Sequence, residues 1–433
     1  MDNPRKLAHS SLVKGDTQEC YTNIEINTVL SRAKLEKSDA SLYTLLYLGV
    51  TEKKLFLDYA IGQYSNTPVS SLDPEVINAI RLGIYQMVFT DRIPDYSAVN
   101  ESVELVPKRS RGFVNAVLRA FLRGNKKVDL PADKWESLSI LHSVPMDLVD
   151  LLRRSYGDGV AEKIVSFEDS DRSISLRVNT VKITKDALVA ILAERDIPHR
   201  VSDYGDGVIK CTCPVQEIKD LIDTGLAFVQ DESSYICARA LGAVASDTVA
   251  DTCACPGGKT FSMAIDMENK GMLCAYDLHK NKLSLIEKGA KRLGFDIISV
   301  AEADGRIFLP ENGGRFDRVL CDVPCSGLGV IFKKPDIKYK SIDKINALPK
   351  IQLDILKNCS GYVKVGGVLV YSTCTLCREE NEGNIERFLK ENDCFAPVDF
   401  ELGSVKSNGG TYTFFPHETG TDGFFVAKLK RVK

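Results

Sequence analysis

Two cysteines stand where chemistry is easiest to place. Cys325, in Asp322-Val-Pro-Cys-Ser-Gly, and Cys374, in Tyr371-Ser-Thr-Cys-Thr, each follow a short apolar run of the kind that forms a buried strand. A thiol at a strand mouth beside a ligand pocket is a candidate nucleophile. Carboxylates end or follow the other runs: Asp251, Asp277, Asp304 and Asp322. In an open parallel sheet ligands bind beyond the carboxyl ends of the strands, so acids at successive ends read as one site.

Asp251 opens Asp-Thr-Cys-Ala-Cys-Pro-Gly-Gly-Lys-Thr, which runs to Thr260 and into a helix. Gly257 and Gly258 let backbone approach a ligand closely, and a helix start offers unpaired N–H groups, so this is a nucleotide-type loop. Its Gly258-Lys259-Thr260 resembles the end of a phosphate-binding P-loop, but that motif needs glycine where Cys253 stands. Asp277 lies nineteen residues after Gly258, a spacing suited to a carboxylate that accepts hydrogen bonds from ribose hydroxyls. Cys211/Cys213 and Cys374/Cys377 raise zinc as an option, yet no second Cys-x-x-Cys or histidine pair lies at finger spacing, so no metal is expected. The five histidines assemble no Ser/His/Asp or Cys/His set. Cys20, Cys237, Cys274, Cys359 and Cys394 read as small buried hydrophobes.

The elements that must position these residues follow from periodicity. Over 24–124 apolar residues recur at three- and four-residue steps, as in Ile77, Ile80, Ile84 and Val88, predicting a helical bundle. Ser38-Asp39 marks one helix start; at another, Asp73 caps and Pro74 takes the first position. A helical connector ends near Gly157-Asp158-Gly159, and 172–226 reads as a small α/β unit. From 228 onward strands (248–251, 272–276, 296–300, 316–321, 367–372) alternate with helices, which predicts a doubly wound parallel sheet. Segments 412–415 and 423–429 add an antiparallel pair at one edge.

At 433 residues the chain exceeds one ordinary core at roughly 100–200 residues per domain. Lys+Arg at 56 against Asp+Glu at 59 gives 56 − 59 = −3, which excludes a polyelectrolyte that coats nucleic acid wholesale. Basic residues are nonetheless clustered: 105–127 holds seven, including Lys108, Arg109 and Arg111, with no acid, and 331–350 holds six lysines against two aspartates, beginning with Lys333 and Lys334. Such runs are where an RNA backbone would pass. Thirteen cysteines, an odd number, and a start without the apolar core of a signal peptide favour a reducing cytoplasm. No apolar stretch approaches the 18 or more residues of a membrane span.

The motifs QDESSY (230–235), DTCACPGGKT (251–260), AYD (275–277), ADGR (303–306), DVPCSGLGV (322–330), STC (372–374) and DGFF (422–425), in that order, resemble the bacterial 16S ribosomal RNA cytosine-C5 methyltransferases of the RsmB/Sun/Fmu type. Residues 111–119, RGFVNAVLR, resemble the last helix of the NusB-like domain that these enzymes carry. Cys255, Val323 and Thr375 depart from the usual Ala, Ala and Ser without removing a chemical group. The resemblance implies four regions: a NusB-like bundle (1–125), a helical connector (126–170), a small RRM-like α/β subdomain (171–227) and a Rossmann-like class I methyltransferase domain (228–433).

It further implies S-adenosylmethionine as cofactor and small-subunit ribosomal RNA as partner, with a monomeric, cytoplasmic enzyme. Cys374 would add to cytosine C6, Cys325 would assist release, and Asp322 would face the base and the cofactor. Cys253, Ala254, Cys255, Pro256, Gly257, Gly258 and Lys259 would wrap the methionine part, with Asp277 at the ribose and Asp304 at the adenine. A transfer RNA methyltransferase, or an RNA-binding antitermination-type protein with a vestigial catalytic half, are the competing readings.

Overall fold

The computed structural model describes residues 2–18, 21–168, 171 and 173–433, so Cys20 and the first residue of the region expected at 172–226 lie outside it. The chain divides into two units, Met1–Ser166 with Ile331–Lys340, and Phe167–Val330 with Ser341–Lys433.

The first unit is all helical. Its central helix, Pro74–Phe89, is apolar around most of its circumference, and such a helix must be surrounded. Helices Pro4–Thr17, Lys37–Glu52, Lys54–Tyr64 and Lys108–Arg123 supply the partners, burying Leu46, Leu57, Ile80 and Phe121 in one core. Arg81 is buried on this helix. Its guanidinium donates to both oxygens of Asp58 at 2.6 and 2.8 Å and to Asp16 at 2.6 Å, so the charge is paired.

Two local expectations change. The third helix begins at Lys37, placing Ser38 and Asp39 inside its first turn rather than at its cap. Asp73 occupies the N-cap with Pro74 following, but its side chain makes no cap hydrogen bond. The connector helix breaks at Gly157 as expected: its φ of 76° and ψ of 166° are not helical, and a second helical stretch follows it to Val165.

Residues Ile331–Lys340 belong to this helical unit although they follow the Cys325 loop in sequence. Thr22 donates to Asp336 at 2.6 Å, and the Lys54 ammonium lies 5.6 Å from the centre of the Tyr339 ring.

The second unit contains two principal sheets. The smaller is antiparallel, in the order His199–Val201, Val208–Cys211, Ile174–Val178, Ala227–Val229. Helix Lys185–Glu194 packs Leu188 and Leu192 against its Leu176, Val178 and Ile209. Buried Asn179 donates from Nδ2 to the carbonyls of Gly225 and Leu293 at 2.8 and 2.9 Å, tying this sheet to the next helical layer.

In the larger sheet the strands are β1 (Thr248–Asp251), β2 (Met272–Asp277), β3 (Ile298–Glu302), β4 (Phe316–Asp322), β5 (Val363–Thr373), β6 (Phe395–Pro397), β7 (Thr411–Phe414) and β8 (Phe424–Arg431). Their order is β6-β8-β5-β4-β1-β2-β3, with β7 also on β8. β1 to β5 run parallel; β8 is antiparallel to β5 and carries β6 and β7 antiparallel to itself. The antiparallel edge expected as one pair is therefore a three-strand flank, because short β6 also covers β8.

Successive residues face opposite cores, as a strand's period of two demands. On β4, Leu320 joins one core while Val319 and Cys321 join the other; on β5, Val370 and the pair Leu369 and Tyr371 divide likewise. Both faces are covered by helices, which accounts for the near-continuous apolar runs.

Candidate active site

Strand order reverses between β1 and β4: β2 and β3 extend to one side, β5 and β8 to the other. The crevice beyond the carboxyl ends at such a switch point is where an α/β sheet binds ligands. Asp251 and Asp322 are the last residues of those two strands, Asp277 is the last of β2, and Asp304 follows β3.

Asp251 is buried. Its Oδ2 accepts from Thr260 Oγ1 at 2.7 Å, while Oδ1 has no hydrogen-bond partner among the described residues. Burial pushes its pKa up to about 7.

The loop that follows turns at Gly257, whose φ of 109° suits glycine. A Cβ there would also lie 2.5 Å from the Phe261 ring. Gly257 is the N-cap of helix Gly258–Asp266. Asp277 steadies this loop, since its Oδ2 accepts from Cys255 N–H at 3.0 Å and its Oδ1 from His279 N–H at 3.0 Å. Asp304 is engaged by Arg306 at 2.6 Å, which holds its carboxyl below the usual range. Burial pushes the Cys253 thiol well up and that of Cys255 to about 12.

Lys259 projects from this helix to Asp322. Its Nζ donates to Asp322 Oδ2 at 2.8 Å and lies 4.9 Å from the Phe424 ring centre, while Ser372 Oγ donates to Asp322 Oδ1 at 2.7 Å. Burial alone favours the neutral amine, but the Asp322 carboxylate outweighs it and holds the ammonium charged above the ordinary lysine range.

The two cysteines meet. Cys325 Sγ and Cys374 Sγ are 3.3 Å apart, and both residues are half-buried. They meet because β4 and β5 are parallel neighbours paired Asp322 to Ser372. The loop bearing Cys325 is then drawn back: Gly329 N–H donates to the Cys374 carbonyl at 3.0 Å, and Gly423 N–H to the Gly329 carbonyl at 2.8 Å. A Cβ on Gly329 would fall 1.8 Å from the Gly423 carbonyl oxygen, so the glycines of DVPCSGLGV and DGFF permit this close approach. Proximity to Cys374 and burial push the Cys325 thiol well above its usual range, with the Glu380 and Asp322 carboxylates adding to the effect.

The residues that brace the two cysteine loops, Gln352, Glu380 and Asn381, carry no motif signal beyond the closeness of CREENEG to Cys374, and charged runs ordinarily read as surface. All three are fully buried.

The basic runs divide. Lys108 and Arg109 are exposed at the start of helix Lys108–Arg123, whereas Arg111 pairs with Glu104 at 2.7 Å and donates to the Val106 carbonyl. Lys126 and Lys127 pair with Asp95 and Asp129, acids outside the run or just beyond it. Lys333 and Lys334 are exposed. Lys338, counted in the second run as a backbone-tracking cation, is only 5% exposed, so it is withdrawn from that role. Packing within the helical unit buries it, and its Nζ lies 3.4 Å from the His142 carbonyl.

Residues 238–430 match the family described as 16S rRNA methyltransferase RsmB/F, residues 2–123 match the NusB family, and 144–216 match an RsmF/B-like ferredoxin-like domain. A probable ribosomal RNA small subunit methyltransferase B of Bacillus subtilis is 36% identical over 99% of this chain and 98% of its own length. The ribosomal RNA small subunit methyltransferase B of Escherichia coli K12 is 32% identical over 92% of this chain and 91% of its own. Among solved structures, that of PH0851 superposes with a TM-score of 0.83 at 25% identity, covering 100% of this chain and 99% of the other.

Proposed function

The chain belongs to the RsmB/F family of 16S ribosomal RNA methyltransferases, and from that premise we propose how its own residues carry the reaction. It methylates cytosine C5 in 16S ribosomal RNA with S-adenosylmethionine as methyl source. The observation that carries the residue-level reading is the 3.3 Å separation of the Cys325 and Cys374 thiols beside Asp322.

Cytosine C5 is a weak nucleophile. As a thiolate, Cys374 adds through Sγ to C6, and the electron pair released into the ring makes C5 enamine-like. Asp322, held between Lys259 and Ser372, faces the N3 edge and stabilises charge as the ring is attacked. Once C5 carries the methyl group, its proton leaves to solvent with Cys325 assisting the release, and the C5–H electron pair forms the C5–C6 double bond. The C6–Sγ bond then breaks, and its electron pair returns to Cys374.

S-adenosylmethionine, when bound, supplies an electrophilic sulfonium methyl. The crevice fits it: a Gly257 turn opens a helix N-terminus, the Oδ1 of Asp251, without a partner among the described residues, lies at the end of β1, and carboxylates stand at successive strand ends. We assign 253–259 to the methionine part, Asp277 to the ribose, Asp304 to the adenine and Asp322 to the methionine end.

The target base must leave its stack or already be unpaired, so a loop cytosine is the natural substrate. Lys108, Arg109, Arg111, Lys333 and Lys334 are assigned to the RNA backbone. The division into 1–125, 126–170, 171–227 and 228–433 is the matching domain proposal. A monomer suffices, because one chain brings together both thiols and the carboxylates. Bisulfite mapping of RNA from a deletion strain tests the substrate: loss of signal at one small-subunit cytosine is expected, and loss confined to transfer RNA would overturn it.

A further inference from the structure

Neighbouring residues Glu380 and Asn381 each hold the chain on both sides of one cysteine. Asn381 Oδ1 accepts from Thr373 Oγ1 at 2.5 Å and its Nδ2 donates to the Thr375 carbonyl at 2.9 Å, which brackets Cys374. Glu380 Oε2 accepts from Ser326 N–H at 2.9 Å and from Gln352 Nε2 at 2.7 Å. Gln352 Nε2 also donates to the Pro324 carbonyl at 2.9 Å, so Cys325 is bracketed in turn. The Ser326 and Thr375 hydroxyls, 2.6 Å apart, join the two brackets.

We propose that Glu380-Asn381 is a positioning clamp that sets the separation of the two thiols, an assignment that rests on the cysteine roles given above. Three backbone groups and the Thr373 hydroxyl, all flanking the cysteines, depend on it directly or through Gln352, and none of the four bonds belongs to the sheet ladder. A loop held only at strand ends would let Sγ atoms drift by an ångström, and displacements of that size are costly in catalysis. Glu380 is also a poor choice for stability alone. It is fully buried and its Oε1 has no partner among the described residues, a placement that a shape-matched apolar side chain would relieve. Burial raises its pKa and favours the neutral acid, which still offers Oε2 as acceptor. The contact therefore rests on acceptor geometry, so glutamine can replace it.

The test uses full-length Glu380→Gln, Glu380→Met and Asn381→Leu with two readouts. The first is the rate at which diamide couples Cys325 to Cys374, each thiol giving up one hydrogen to the reagent as the S–S bond forms, followed by peptide mass spectrometry. The second is kcat against KM for RNA methylation. Glu380→Gln should stay within about twofold of the parent in both, whereas Glu380→Met and Asn381→Leu should lose about tenfold or more in coupling rate and kcat at unchanged KM.

Parent-like coupling in folded Glu380→Met and Asn381→Leu overturns the clamp and leaves the cysteine roles standing. Slowed coupling with undiminished kcat instead contradicts the cysteine roles. If either apolar variant does not fold, Thr375→Val against Thr375→Ser carries the test on the hydroxyl bridge. Loss in Val with rescue in Ser supports the clamp, and parent-like coupling in Val overturns it.

Discussion

Lys259 Nζ and Asp322 Oδ2 lie 2.8 Å apart, joining the helix after β1 to the last residue of β4 across the point where strand order reverses. With Ser372 on its other oxygen, Asp322 has a donor on each side and is fixed in one orientation. Removing the ammonium leaves a half-buried carboxylate with a single donor. Lys259→Met should lower single-turnover methylation by roughly 10²-fold, a typical cost for losing one oriented charge in a reaction centre. Parent-like turnover in a folded Lys259→Met protein contradicts the role given to this pair.

The exposed cations Lys108 and Arg109 should act through phosphate. Replacing both with alanine should weaken binding to a 16S fragment regardless of sequence. The slope of log affinity against log salt should also become shallower by about 1 to 2. Lys338→Met should leave that slope unchanged, since its ammonium is buried within the helical unit. Filter binding across a salt series reads both.

Lys338 also makes the helical unit sensitive to pH. Burial depresses its pKa from 10.5 to about 8, with Glu52 opposing that shift and Lys53 adding to it. Between those two values the unfolded chain holds the proton and the native chain does not, so stability should rise with pH across that window. Below about 8 both states are protonated and the burial cost is felt in full. The gain is up to about 3 kcal/mol, and Lys338→Met should abolish it in urea melts at pH 7.5 and 10.

Much of this architecture is legible in the residues because the signals are local. Alternating strands and helices after 228, the carboxylates at strand ends and the paired cysteine motifs all follow from short-range pattern, and β1 to β5 lie within a few residues of expectation. What escapes is set by packing. Lys338 sits in a lysine-rich run yet is buried, because Ile331–Lys340 belongs to the helical unit. Glu380 and Asn381 carry no motif signal in the sequence; only the return of the Cys325 loop over β5 shows what they hold.

The central claim is that Cys374 attacks the base while Cys325 releases it, and trapping the covalent intermediate tests it most directly. Full-length Cys325→Ala and Cys374→Ala proteins are each incubated with 16S ribosomal RNA and S-adenosylmethionine and resolved on a denaturing gel. Cys325→Ala should accumulate protein covalently bound to RNA, and Cys374→Ala should give neither adduct nor 5-methylcytosine. Full methylation by Cys374→Ala would contradict the account.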